Sequence, residues 1–180
     1  MTRVRAETAS DYAAVHEVIK LSFGGEGESR LVEALRKSRH FRPELSLVAV
    51  KDQKVVGHIL FSPAVIERVV EIGKKAENND VPVLVLAPMA VLPEFQRQGI
   101  GSQLILHGLE ECKRLGFRIA ILIGHPGFYP RFGFMPARAK GLECIYKVSN
   151  AAFLVAELVP GALSGVRGMV RYPVEFDAAA

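Results

Sequence analysis

Only two cysteines, Cys112 and Cys144, occur in the 180-residue chain. They lie far apart and form no CxxC pair. That argues against a disulfide scaffold and a cysteine zinc site, so no metal is expected and a reducing, cytoplasmic setting is. No apolar run approaches the ~20 residues that a membrane span needs. The opening stretch MTRVRAETAS lacks the apolar core of a secretory signal. Lysine and arginine outnumber aspartate and glutamate, 23 to 19, yet no dense basic run with interleaved aromatics appears. Nucleic-acid binding wants both a basic patch and a reader, so neither nucleic acid nor membrane is expected as a partner. A few well-placed arginines suit an anionic small molecule. No fixed-period repeat is present, and no Gly-x4-Gly-Lys-[Ser/Thr] phosphate loop.

What is present suits one domain with a sizeable core: the hydrophobic fraction is 49%. Val4–Ala6 reads as a short strand. Thr8 and Asp11 resemble a capping box, followed by helical spacing through Tyr12, Val15, Val18 and Ile19. Gly24–Ser29 reads as a loop. A second helix starts at Leu31 and ends in a basic turn with Arg36, Lys37 and Arg39. Leu45–Val50 and Val55–Phe61 read as strands joined by a KDQK turn. Glu71–Asp80 is a polar loop. Val81–Pro93 is most simply a central strand, with Pro88 suggesting a bulge or an end to regular pairing. Leu104, Ile105, Gly108, Leu109, Cys112 and Leu115 share one helical face, and Gly116 ends that helix. Ile119–Gly124 is a buried strand. LECIYKV, AAFLVAEL and GMVRYPVEF add β-like material at the end. Strand, helix, strand around Gly99 is a βαβ unit, so a mixed α/β sheet covered by helices is expected.

The stretch Gln96-Arg97-Gln98-Gly99-Ile100-Gly101-Ser102 joins the central strand to its helix. Glycine costs about 1 kcal/mol against alanine inside a helix, so two at a helix start need a reason. Free amides and the helix dipole make such a turn an anion site, and glycine lets a ligand approach the backbone. A dinucleotide fingerprint is a poor match, because Leu104 stands where its third glycine belongs. From the glycines alone, a phosphate cradle and a turn without a ligand are both open.

Gln96-x-x-Gly99-x-Gly101, after MAVLPEF and before SQLI, resembles the acyl-CoA pyrophosphate motif of the GCN5-related N-acetyltransferases. Tyr129-Pro-Arg-Phe-Gly-Phe134 resembles that superfamily's second signature, and most of the chain is similar to its YhbS-like branch. The resemblance implies one acyl-CoA N-acyltransferase domain over residues 1–180, with 140–180 as a β-rich C-terminal extension. It implies a mixed, mostly antiparallel sheet with a V-shaped splay between the fourth and fifth strands. Acetyl-CoA would be the cosubstrate. Its pantetheine arm would lie along Met89, Ala90 and Val91, and its pyrophosphate on the amides of Arg97, Gln98, Gly99, Ile100, Gly101 and Ser102. Gln96 or Gln103 would add a polar contact. The sequence departs from the branch at Gly124-His125-Pro126, where a carboxylate is usual, and at Phe128, where a tyrosine is.

The implied chemistry is acetyl transfer to a small-molecule or protein amine, in a monomer or a homodimer. The alternative is a non-catalytic acyl-CoA-binding module on the same fold. The resemblance makes Tyr129 both a cofactor contact and the general acid that protonates the leaving thiolate; its phenol has an ordinary pKa near 10. The base is open among His58, Glu26, Glu28, His125 and water. His58 reads equally as a satisfied sheet histidine, Glu26 and Glu28 as a solvated loop, and His125 as a residue that turns the chain.

Overall fold

A computed structural model describes residues 1–69 and 79–179, so most of the polar loop expected at Glu71–Asp80 lies outside the described residues. The chain divides into two compact units. One comprises Met1–Ser62, Leu86–Glu111 and Pro173–Ala180, the other Pro63–Val85 and Cys112–Tyr172.

In the first unit, β1 (Thr2–Ala6), β2 (Ser46–Lys51) and the start of β3 (Lys54–Arg68) form an antiparallel meander. Asp52 and Gln53 both take positive φ, 49° and 63°, as the tight hairpin between Lys51 and Lys54 demands. Thr8 and Asp11 do form a capping box ahead of α1 (Tyr12–Phe23). α2 spans Gly27–Arg36 and so begins inside the expected loop. Its first turn is held by the bond from Arg30 N–H to the Glu26 carbonyl, which outweighs the low helix propensity of Gly27. β4 (Val81–Val91) ends in this unit, and α3 (Ile100–Arg114) follows it after a short turn. β4 runs on through a cis Ala87–Pro88 peptide, but its ladder with β5 stops at Val85, close to where Pro88 suggests an end to regular pairing.

α3 lies against the sheet at two glycines. A Cβ on Gly108 would stand 2.3 Å from Cε2 of the fully buried Phe61, and one on Gly57 would meet Leu104 at 3.0 Å and the Ala90 carbonyl at 3.2 Å. Gly108→Ala should therefore destabilise the protein by about 1–3 kcal/mol through overpacking, although alanine is the better helix former. Chemical denaturation checks this, and Phe61→Leu in the same chain should recover part of the loss. A Gly108→Ala protein more stable than its parent would contradict the packing.

In the second unit the start of β4 pairs in parallel with β5 (Ile119–Ile123), through Leu84↔Ala120 and Val85↔Ile121. β4 then runs on to Val91. β5 pairs antiparallel with β8 (Phe153–Glu157), which also takes β6 (Met135–Pro136). The end of β3 pairs antiparallel with β9 (Gly168–Arg171), and β9 pairs in parallel with β7 (Leu142–Glu143). Ile66, Val83, Ile121, Phe153 and Val155 sit in this unit's core. Two expected strands are shorter than their apolar patterns. Cys144–Val148 leaves the sheet after β7, and Val174–Phe176 becomes part of a 3-10 turn beyond Pro173. Proline lacks the N–H that a continuing ladder would use.

The result is a mixed α/β fold, mostly antiparallel, with the β4–α3–β5 unit at its centre. Both cysteines are buried and in no disulfide. No helix among the described residues is long and apolar enough to cross a membrane.

Candidate active site

Between β4 and α3 the chain makes a 3-10 turn at Pro93–Phe95 and then two left-handed steps, Arg97 at φ 59° and Gly99 at φ 81°. Left-handed backbone is uncommon for a residue with a side chain, and it curls successive peptide N–H groups toward one side, as anion-binding turns do. α3 closes its first i→i−4 bond from Gln103 N–H to the Gly99 carbonyl, 3.1 Å. The amides of Ile100, Gly101 and Ser102 precede it, in the region where a helix has donors to offer. A Cβ on Gly99 would meet nothing within 4 Å; its glycine serves the left-handed φ. Gly101 lies inside the helix, so its glycine is not explained by conformation. Arg97 is exposed, while Ile100 is buried and anchors the helix end. Amides, helix dipole and an exposed guanidinium together fit a phosphorylated group.

The glutamines brace this turn. Gln96 Nε2 donates to the Val91 carbonyl at 2.9 Å, tying the turn to the end of β4. Gln98 Nε2 donates to the Glu94 carbonyl at 3.2 Å, and its Oε1 accepts from Lys51 Nζ at 3.1 Å. Lys51, not singled out in the sequence, thus reaches this turn from the β2–β3 hairpin. Met89 is half-buried on β4, and its neighbours Ala90 and Val91 are buried.

In the second unit, Tyr129 opens a 3-10 turn, Tyr129–Phe132, that closes on left-handed Gly133. Its ring meets Phe128 edge-on at 5.2 Å and Phe134 at 6.0 Å. Burial pushes the Tyr129 phenol up to about 12, away from the ordinary value near 10. The hydroxyl is therefore a proton donor across the whole neutral range. His125 is exposed, and its Nδ1 accepts the Gly127 N–H at 3.1 Å. That bond braces the turn at Pro126–Gly127.

The remaining base candidates lie in the first unit. His58 is fully buried in β3. Its Nε2 lies 3.0 Å from Ser46 Oγ and 3.7 Å from Glu7 Oε2, while Nδ1 has no hydrogen-bond partner among the described residues. It is thus a sheet histidine, but only half satisfied. Burial lowers its pKa to about 4, against the pull of Glu7, so the imidazole is neutral at ordinary pH. Burial pulls the Glu7 carboxyl up, but the two bonds from Arg36, at 3.0 and 2.8 Å, together with His58 and Ser46 hold it below its usual range. This Glu7–Arg36–His58 cluster carried no local signal, because its members lie far apart in the chain: after β1, on α2 and on β3. Glu26 bonds Arg30 at 3.0 Å and pairs with Lys20 at 3.5 Å, and these cations lower its pKa and leave it a weak base. Glu28 is half-buried in the first turn of α2. β4 and β5 carry no carboxylate at all.

One further concavity, of about 680 Å³, lies between α1 and α2 and is lined by Tyr12, His16, Glu33, Arg36 and Lys37. Three of its polar groups already engage partners: Arg36 holds Glu7, and His16 lies 3.2 Å from Glu33.

A family model described as Acetyltransferase (GNAT) family matches residues 12–134. The uncharacterised N-acetyltransferase YhbS of Escherichia coli K12 is 31% identical over 97% of this chain and 98% of its own length. The crystal structure of Escherichia coli YhbS in complex with CoA superposes with a TM-score of 0.86, covering 98% of this chain and 92% of that one. A GNAT family acetyltransferase from Brucella melitensis, in complex with acetyl-CoA, is also 31% identical, with a TM-score of 0.75 and coverage of 98% and 99%.

Proposed function

The chain belongs to the GNAT acetyltransferase family and is an acyl-CoA-dependent N-acetyltransferase; we propose that the Arg97–Ser102 turn holds the pyrophosphate of acetyl-CoA and that Tyr129 protonates the leaving thiolate. The acceptor is an amine, on a small molecule or a protein. The observation that carries the cofactor assignment is the left-handed Arg97 and Gly99 running into the first turn of α3. Acetyl-CoA supplies the activated acyl group. Ile100, Gly101 and Ser102 offer amides to the diphosphate, Arg97 adds positive charge, and Met89, Ala90 and Val91 offer strand backbone to the pantetheine arm. Gln96 and Gln98 hold the turn in shape, since their amides are spent on carbonyls. Tyr129, with its proton held by burial, donates to the sulfur as the thioester opens. Water or Glu28 takes the proton of the amine: His58 is fully buried and, with its pKa lowered to about 4, a weak base, Glu26 is held by cations, and His125 accepts from the Gly127 N–H. Residues 1–180 act as one transferase domain with 140–180 as its extension, a reading supported by a family match that draws on both units. Two buried free thiols, Cys112 and Cys144, fit a reducing cytoplasmic setting.

Acetyl-CoA should raise the thermal midpoint with the logarithm of its free concentration above Kd. At a hundred times Kd the gain is about 2.7 kcal/mol, or roughly 5–10 °C for a chain of this size. NADH or ATP at matched concentration should not do this, and a larger shift with NADH would overturn the cofactor assignment. Thiol release from acetyl-CoA with a panel of amines then separates an enzyme from a binding module.

A further inference from the structure

We infer that Gly124 is a positioning residue for the Tyr129 hydroxyl: its missing side chain is the seat of the Tyr129 ring. A Cβ built on Gly124 would stand 2.5 Å from Tyr129 Cε2, 3.0 Å from its Cδ2 and 3.0 Å from Leu122 Cδ1. Ordinary contacts begin at about 3.4 Å, so the ring would have to retreat by roughly 1 Å. The φ of Gly124 lies outside the left-handed range, so the backbone there accepts any residue. Space, not conformation, is what requires glycine.

The backbone cannot move aside to relieve the clash. Gly124 N–H donates to the Ala152 carbonyl at 2.9 Å, directly after the Ile123↔Phe153 pair that ends the β5–β8 ladder. The ring itself is boxed in: Phe128 lies edge-on to it on one side and the buried Phe134 on another. Its Cα is set by the 3-10 turn that Tyr129 itself opens and Gly133 closes. A side chain at Gly124 therefore acts on the direction of the Tyr129 hydroxyl. A misplacement of about 1 Å can cost up to ~100-fold in rate. This inference rests on the assignment of Tyr129 as proton donor.

The test is a pair of cycles on the full chain, with an amine that turns over. Gly124→Ala should lower kcat about 10- to 100-fold, with a smaller change in KM for acetyl-CoA. In the Tyr129→Phe background, where the hydroxyl is already gone, the same change should cost less than about twofold in kcat. Gly124→Ala should also lower the thermal midpoint, and Tyr129→Ala, which empties the seat, should abolish that drop. An equal kcat loss in both backgrounds overturns the positioning role. An equal midpoint drop with and without the ring overturns the seat itself. If Gly124→Ala does not fold, Tyr129→Ala should restore folding, and a double variant that also fails to fold overturns the inference. Wild-type turnover in Tyr129→Phe with the midpoint pattern intact would sink the proton-donor assignment, and with it the positioning role, while leaving the seat standing.

Discussion

Tyr129→Phe is expected to lower kcat about 100-fold, equivalent to ~3 kcal/mol of barrier, with little change in KM for acetyl-CoA. The substitution removes one hydroxyl and keeps the ring, so the edge-on contacts with Phe128 and Phe134 survive. A thiolate is a far better leaving group than an alkoxide, so protonation helps without being obligatory. That places the effect at the low end of general-acid catalysis. The pH profile follows from burial. With its pKa pushed up to about 12, Tyr129 is ~99% protonated at pH 10. Wild-type activity should therefore show no alkaline limb from this group near 10, where an unperturbed phenol would place one. The raised pKa has a consequence for stability as well. Folding favours the neutral phenol, so this contribution is complete below pH ~10 and is lost as pH rises toward about 12. A steady-state pH series on both proteins checks the first point. Equal turnover across the series would mean that Tyr129 is neither acid nor orienting group.

Gly101→Val should remove about 100-fold of the affinity for acetyl-CoA while leaving the fold intact. Two charge-assisted hydrogen bonds from the α3 amides to a phosphate, at ~1.5 kcal/mol each, account for that factor. A branched Cβ in the first turn would hold the diphosphate away from those donors. Gly101 sits inside α3, where valine is a slightly better residue than glycine, so stability should hold or rise. Gly99 gives the contrast. Its φ of 81° is a left-handed conformation that costs a residue with a Cβ about 1–2 kcal/mol, so Gly99→Ala should weaken the fold first. Calorimetry of acetyl-CoA binding beside thermal melts of both variants separates the two glycines. Unchanged binding in a folded Gly101→Val protein would remove the pyrophosphate from this turn.

Much of this protein was legible in the sequence because it is local. The period of Leu104, Ile105, Gly108 and Leu109 is that of α3. The capping pair Thr8 and Asp11 opens the first helical segment, and the left-handed demands of the KDQK turn follow from its two-residue hairpin. The glycine-rich turn and Tyr129 stand at recognisable spacings from the strand and helix between them. Strand ends were less legible. The apolar run after Pro173 has the composition of a strand, but whether it pairs depends on a partner with free ladder positions.

What only the tertiary structure decided are relations between distant residues. The neutrality of His58 depends on full burial within the sheet, and Glu7 keeps its charge because Arg36 arrives from α2 to bind it. Gln96 has a polar contact with the ligand as its expected role; folding also sets its side-chain amide on the Val91 carbonyl, and that of Gln98 on the Glu94 carbonyl. Two glycines that sequence could read only as weak helix or strand residues, Gly108 and Gly124, prove to be spaces reserved for Phe61 and Tyr129. A hydrogen atom in place of a side chain has no pattern of its own. Its meaning comes from the ring packed against it, and that ring is placed by the fold.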